Sequence, residues 1–358
     1  MGRMRAAAML SYVFTVLLGS ALLGSGLLLL SGCGREAVSR EEYLLGTLCR
    51  ITLYGNRDAG LFDDLFDRIR EIEAAMSVKL PSSEVSRINR AAGDPAAGDP
   101  AAVPVSQDTM EVIRASIRYG ELTRGAFDVT IGPLVELWDI GGADFRPPPE
   151  TAIRGALGLV DYRLIDLPDA SSLAMGKPGM RLDLGGAAKG YAADELLAIL
   201  DRRGVGSALV DLGGNIYAVG CKPNGDPWRI GVQNPFDSRG AALGAMAVTD
   251  RAVVTSGPYE RYSLYQGVRY HHILAPSSGR PVRNGLAGVS ILAKSALAAD
   301  CLSTGAFVLG LEAGLALIGE LPDVEAVFVT DERDVHLTAG LVGVFELLDD
   351  SFRLACGE

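Results

Sequence analysis

Apolar side chains alternate with polar ones from Thr47 to Tyr54 and then recur at helical spacing from Leu61 to Met76, which predicts a strand followed by a helix. Ser106 stands at the head of a second helical pattern running to Thr123 and has the chemistry of an N-cap. Further helices are expected over Ala187 to Arg203, Ser295 to Leu309 and Glu312 to Glu320. Between them lie short β-like runs at Leu182, Ala208 to Val210, Ile216 to Val219, Arg229 to Val232, Val253 to Val254, Tyr262 to Tyr265, Val289 to Leu292 and Val327 to Thr330. Strands and helices alternate irregularly and some strands pair as hairpins. The pattern therefore favours an α+β fold with mixed or antiparallel sheets flanked by helices, not a doubly wound parallel sheet. Ala91 to Pro95 is repeated as Ala96 to Pro100, and the Gly and Pro of this doubled Ala-Ala-Gly-Asp-Pro mark a surface loop. Pro147-Pro148-Pro149 marks another connection. No boundary divides the chain after residue 42, so one large domain is expected, with room for two subdomains.

The N-terminus has a different pattern. Arg3 and Arg5 precede a run from Ala6 to Leu30 without a single charge, the layout of an export signal. The run is also long enough to remain as an uncleaved anchor. It ends in Leu30-Ser31-Gly32-Cys33, which resembles a bacterial lipoprotein signal cleaved before Cys33. The expected organisation is a signal peptide over 1–32, a polar tether over 33–42 and one domain over 43–350. Acylation of Cys33 would hold the protein on a bacterial membrane, facing outside the cytoplasmic membrane.

With 48% hydrophobic and 22% charged residues, the rest of the chain can bury a sizeable core. Its 33 Lys and Arg against 44 Asp and Glu leave a net charge of -11, which supplies no excess of cations for a nucleic-acid backbone. Cys49, Cys221, Cys301 and Cys356 show neither C-x-x-C nor metal-finger spacing, so they are read as buried thiols without a disulfide.

Candidate chemistry concentrates between Thr255 and Thr304. If the segment after Ser295 is helical, Asp300 and Thr304 lie four residues apart on one face. A carboxylate and a hydroxyl so placed can hold a hard cation such as Mg2+, shared with a phosphorylated ligand. Asp183-Leu184-Gly185-Gly186-Ala187-Ala188-Lys189-Gly190-Tyr191 joins an apolar run to a helix through two glycines, a plausible pyrophosphate cradle that is neither a P-loop nor G-x-G-x-x-G. Leu212-Gly213-Gly214-Asn215 reads as a tight turn between strands. In Gly125-Ala126-Phe127-Asp128 the helix ends at Gly125, and the chain turns again at Gly132-Pro133. Phe127 is suited to border a planar ring and Asp128 to accept hydrogen bonds from it, while a core Phe beside a turn Asp fits the residues equally. His272, one of three histidines, has the chemistry of a general base or of a hydrogen-bonded structural residue. Ser256, His272 and Asp300 do not read as a hydrolytic triad, because no G-x-S-x-G elbow surrounds Ser256.

Taken in order, Leu45-Gly46-Thr47, Gly125 to Trp138, Asp183 to Tyr191, Ala208 to Gly214, Thr255-Ser256-Gly257, His272-Ile273 with Pro276 and Gly279, and Ala299 to Thr304 resemble the ApbE family, the FAD:protein FMN transferases. The resemblance runs from about Leu45 to Leu347. It implies an ApbE-like fold, a flavin transferase domain over 43–350, FAD as substrate and Mg2+ as cofactor. It also implies metal ligation by Asp300, Thr304 and the backbone carbonyl of Gly186. FAD contacts are implied at Leu45, Ala126, Phe127, Asp128, Asp183, Lys189 and Leu274, and His272 as the base. The implied reaction moves FMN onto a threonine or serine hydroxyl of a flavoprotein subunit of a respiratory or electron-transfer complex, and releases AMP. Hydrolysis of FAD to FMN and AMP and FAD binding without turnover are the alternatives.

Three positions depart from the family pattern. Leu45 replaces the usual Met, Ala275 replaces an Asp, and Lys79 stands where an aromatic is usual. Thr304-Gly305-Ala306 superficially matches the S/T-G-A-T acceptor signature of flavinylated targets, but Phe307 occupies its last place, so self-flavinylation is not expected.

Overall fold

In a computed structural model, residues 37–56, 58–93, 98 and 100–355 are described. The export signal, Cys33 and Cys356 lie outside these residues. Among the described residues, no helix is long and apolar enough to cross a membrane, and Cys49, Cys221 and Cys301 are free thiols.

The central sheet has nine strands among the described residues, and their spatial order follows the chain: Ala37–Leu44, Thr47–Tyr54, Ser207–Leu212, Asn215–Gly220, Arg251–Ser256, Leu286–Ala293, Glu325–Thr330, Asp334–Leu337 and Arg353–Leu354. Neighbours run antiparallel except the last pair, which is parallel. The inner strands read as continuous apolar runs because both faces of the sheet are covered. Ala252 and Val254 point into one core with Val289, Ile291, Ala326 and Phe328, whereas Val253 points into the other with Val327 and Val329. That alternation is the period of two expected of a strand. On the first face lie helices Ala59–Met76, Ala188–Arg202 and Ala296–Leu309. On the second lies a three-stranded sheet, Trp228–Gln233, Ala242–Val248 and Phe345–Leu347, whose Trp228, Ile230 and Met246 complete that core. The α+β expectation of mixed, largely antiparallel sheets flanked by helices describes this architecture.

Helix Ala296–Leu309 is apolar nearly all round and buried from Ala296 to Ser303, as a central helix must be. Its start is fixed twice. Ser295 caps it by accepting from Ala298 N–H, and the Asp194 carboxylate accepts from Ser295 Oγ, Ala296 N–H and Leu297 N–H. A half-buried ion network joins three other helices: Arg68 reaches Asp108 at 2.7 Å and Glu195 at 2.9 Å, and Tyr191 donates to Asp108.

Several expectations need correction. The polar stretch expected to be a tether up to residue 42 instead contributes the edge strand Ala37–Leu44, paired along its whole length with Thr47–Tyr54. Its alternate positions are exposed or half-buried and carry Ser, Arg and Glu, so no apolar rhythm announces it. Ion pairs from Arg40 to Asp63 and Arg50 to Glu41 supplement the backbone ladder. The strand expected at Leu182 does not form. Asn89 bonds the Leu182 backbone from both sides, its Oδ1 accepting at 2.7 Å and its Nδ2 donating at 3.0 Å, in place of a neighbouring strand. Gly132-Pro133 opens the short helix Gly132–Trp138 rather than a turn, with proline in the first turn where its missing N–H costs nothing.

Candidate functional site

The site lies where the turn 183–187, the hairpin turn Gly213-Gly214, the end of strand Arg251–Ser256 and the middle of helix Ala296–Leu309 converge. Asp300 is 4% exposed, and a buried carboxylate demands partners. It accepts from Gly190 N–H at 2.9 Å and from Asn215 Nδ2 at 3.0 Å, and the Lys189 ammonium stands 3.5 Å from its Oδ1. Thr304, one helical turn on, shares a hydrogen bond of 3.3 Å with Ser256 Oγ, which also pairs with Ser303 Oγ at 2.9 Å.

Gly186 joins this pair. A Cβ there would lie 3.6 Å from Thr304 Oγ1 and 3.1 Å from the Phe127 ring, so only glycine brings backbone this close to the hydroxyl without pressing on the ring. Phe127, 4% exposed, is thus a floor beneath the glycine turn and part of the main core, not an open stacking platform. Lys189 reaches back to the Gly185 carbonyl at 3.1 Å. Gly185 N–H is already taken by Asp183 Oδ1 at 2.8 Å, so that amide of the expected pyrophosphate cradle is not open to phosphate.

Carboxylate, hydroxyl and backbone carbonyl are hard oxygen donors, the set Mg2+ prefers. No group of three or more His, Cys, Asp or Glu gathers among the described residues. Asp300, Thr304 and the carbonyl of Gly186 are a different type of donor set, with a single carboxylate, and the side-chain-free approach at Gly186 fits it.

The remaining candidates divide. Asp128 is 8% exposed, and its oxygens accept from Thr130 N–H, Thr130 Oγ1 and Tyr162 N–H at 2.6 to 2.9 Å. Burial pushes its carboxyl up against those hydrogen bonds. It is the turn Asp of the alternative reading, with Ala126 just before Phe127 in the same turn. Leu45 sits in the two-residue turn between the first two strands at a φ of 52°, its N–H held by Glu73. The next residue but one, Thr47, abuts Gly213, where a Cβ would come within 2.1 Å of its hydroxyl. Leu274 is 6% exposed and fills a small core with Leu134, Trp138 and Ile153, so its side chain is committed to packing beneath the His272 segment.

The two adjacent histidines have different tasks. His271 is buried and fully engaged, with Nε2 on the Val282 carbonyl at 2.7 Å and Nδ1 accepting from Ile273 N–H. His272 is half-buried and places Nδ1 3.1 Å from the Arg261 carbonyl. A carbonyl only accepts, so Nδ1 carries the proton and Nε2 keeps its lone pair. Burial, with Arg261 and more weakly Lys189, pushes His272 down to about 4. It is neutral at pH 7 and able to take a proton.

The family model described as the ApbE family matches residues 45–328. The chain belongs to the ApbE family. It is 35% identical to a FAD:protein FMN transferase of Treponema pallidum over 90% of this chain and 93% of that one. A FAD:protein FMN transferase of Klebsiella pneumoniae is also 35% identical, over 88% and 96%. Among solved structures, the ApbE protein of Thermotoga maritima superposes with a TM-score of 0.78 at 31% identity, covering 86% of this chain and 99% of that one. The flavin transferase ApbE of Vibrio cholerae gives 0.74 at 30% identity with the same coverage.

The geometry gives roles to residues that pattern alone leaves without one. Asn215 follows a glycine pair that reads only as a turn, yet it holds Asp300. Gly190 lets the two helices cross so closely that a Cβ would meet the Ala296 carbonyl at 2.4 Å. Gly190→Ala is therefore expected to cost about 1 to 3 kcal/mol of stability through overpacking. The same displacement would draw Gly190 N–H away from Asp300. Thermal unfolding and a transfer assay check this together; an unchanged melting temperature would refute the close crossing.

Proposed function

We propose that this protein transfers FMN from FAD to a threonine or serine hydroxyl of a flavoprotein, with Mg2+ as cofactor. The observation that carries the reading is the junction of Asp300, Thr304, Gly186 and Lys189, within the stretch that the family model matches. Mg2+ held by Asp300, Thr304 and the Gly186 carbonyl would supply Lewis-acid neutralisation of the diphosphate. The rest is the work of the chain's own groups. Lys189 offers a cation to the phosphate oxygens, and Asn215 with Gly190 N–H fixes the Asp300 carboxylate. His272 Nε2 accepts the proton of the attacking hydroxyl. The hydroxyl oxygen bonds to the phosphorus nearest riboflavin, the bond from that phosphorus to the bridging oxygen breaks, and AMP leaves with that oxygen. Positioning and electrostatics account for most of such a phosphoryl transfer.

The acceptors on this reading are flavoprotein subunits of respiratory or electron-transfer complexes. The protein would act as a lipoprotein tethered through Cys33, on the outer side of the cytoplasmic membrane. The test is incubation with FAD, Mg2+ and an apo flavoprotein subunit whose mature form carries FMN on threonine. Mass spectrometry is expected to find the acceptor heavier by one FMN, with AMP released in equal amount. Free FMN and AMP with an unmodified acceptor would make the enzyme an FAD pyrophosphatase, and intact FAD would leave a binding protein.

A further inference from the structure

Flavin transfer requires a second substrate whose hydroxyl reaches His272, and the strands leading to His272 form an unusual surface. Tyr262–Tyr265 and Val268–His271 make a separate two-stranded ribbon in which Tyr262 faces His271 and Leu264 faces Arg269. One face of the ribbon is covered: Ser263 Oγ accepts from Gly141 N–H at 2.8 Å, and the Tyr270 ring packs on Trp138 and Phe145. The opposite face carries Tyr262 and Leu264, 41% and 64% exposed, with the Arg269 guanidinium 4.4 Å above the Tyr262 ring. It borders a cavity of about 410 Å³ whose other walls include Phe236, Arg239, Tyr259 and Glu260.

This cavity adjoins the catalytic cluster at two points. The Tyr259 ring abuts Gly257, where a Cβ would lie 2.4 Å from it, and the neighbouring Ser256 bonds Thr304. Arg239 Nη2 lies 3.9 Å from the Cβ position of Gly214, beside the Asn215 that holds Asp300.

We propose that the cavity and the open ribbon face bind the acceptor polypeptide. An extended segment lays an apolar side chain against Tyr262, Leu264 and Phe236 and presents its hydroxyl to His272 Nε2. Three observations favour a polypeptide over the dinucleotide. His272 stands one residue beyond the end of the ribbon whose Tyr262 and Arg269 line the cavity. The lining arginines, Arg239 and Arg269, are matched by Asp237 and Glu260, which leaves no net positive charge for a diphosphate. Exposed aromatic and aliphatic side chains with arginine are the composition of protein-binding surfaces.

This inference rests on the transferase reading, and the experiment separates the two. Full-length L264E/R269E is assayed with FAD, Mg2+ and the same apo flavoprotein subunit, and F236D serves as a second variant outside the ribbon. Both are expected to raise the KM for the acceptor by about tenfold or more, as loss of an interface anchor does. The FAD dissociation constant, followed by flavin fluorescence, should stay unchanged, as should kcat at saturating acceptor. Weaker FAD binding would assign the cavity to the dinucleotide. Unaltered constants for both substrates would overturn the docking site, and dissociation of a wild-type dimer by the variants would assign the face to a second copy of the chain. A wild-type enzyme that leaves the acceptor unlabelled would instead overturn the transferase reading.

Discussion

Asp300→Ala is expected to lower FMN transfer by about a thousandfold, the scale seen when a charge-stabilising group is removed from a reacting centre. The side chain has two functions here. It supplies the only carboxylate of the proposed Mg2+ site, and it satisfies Gly190 N–H and Asn215 Nδ2, neither of which has another partner among the described residues. Removing it leaves two buried donors, at about 1 to 3 kcal/mol each, so some loss of stability is expected beside the loss of rate. The two effects can be separated. A transfer assay at a temperature where the variant remains folded, checked by circular dichroism, isolates the rate, and titration of the same sample with Mg2+ reads the metal requirement. Full transfer with an undiminished response to Mg2+ would remove Asp300 from the metal site. Asn215→Ala offers a milder comparison, since the carboxylate stays and loses one of its two hydrogen bonds.

Much of this site was legible because its key residues are local in sequence. Asp300 and Thr304 share a helix face, and the helix starts at Ala296, one residue after the expected Ser295. The turn 183–187 and the helix from Ala188 to Arg202 are likewise set by a glycine pair followed by helix formers. What escaped is made by pairing across the chain. Ala242–Val248 contains three alanines, a glycine and a methionine where a strand prefers β-branched and aromatic residues. It exists because Trp228–Gln233 and Phe345–Leu347 pair with it on either side. The edge strand Ala37–Leu44 escaped for a different reason: its pairing with Thr47–Tyr54 is local, through a two-residue turn, but it carries polar side chains on both faces.

The residue roles divide along the same line. Phe127 and Asp128 carry the chemistry of ligand contacts, and only burial decides that one supports the glycine turn while the other caps its own loop. For the His271-His272 pair, residue type offers no choice between them. The decision comes from the Val282 carbonyl and Ile273 N–H, which occupy both nitrogens of His271, and from the Arg261 carbonyl, which orients His272 alone. With Ala275 three residues on offering no carboxylate, the Arg261 carbonyl alone fixes the His272 tautomer.

His272→Ala is expected to slow transfer by about 10² to 10⁴-fold, the usual contribution of a positioned base, while FAD affinity is largely kept. Its pH dependence adds a sharper requirement. A base acts in its neutral form, and burial beside Arg261 pushes this imidazole from its ordinary 6.5 down to about 4. The acid limb of kcat/KM for FAD should therefore fall near pH 4 in the wild type and disappear in the variant. Stability follows the same proton. With the folded value below the unfolded one, the unfolded chain binds the proton first, so stability attributable to neutral His272 is complete above about pH 6.5 and lost as pH falls towards 4. His272→Gln retains a polar side chain of similar reach but cannot take up a proton at these pH values. It should match the alanine variant in rate, and a glutamine variant as fast as wild type would show that orientation, and not proton transfer, is the task of this position.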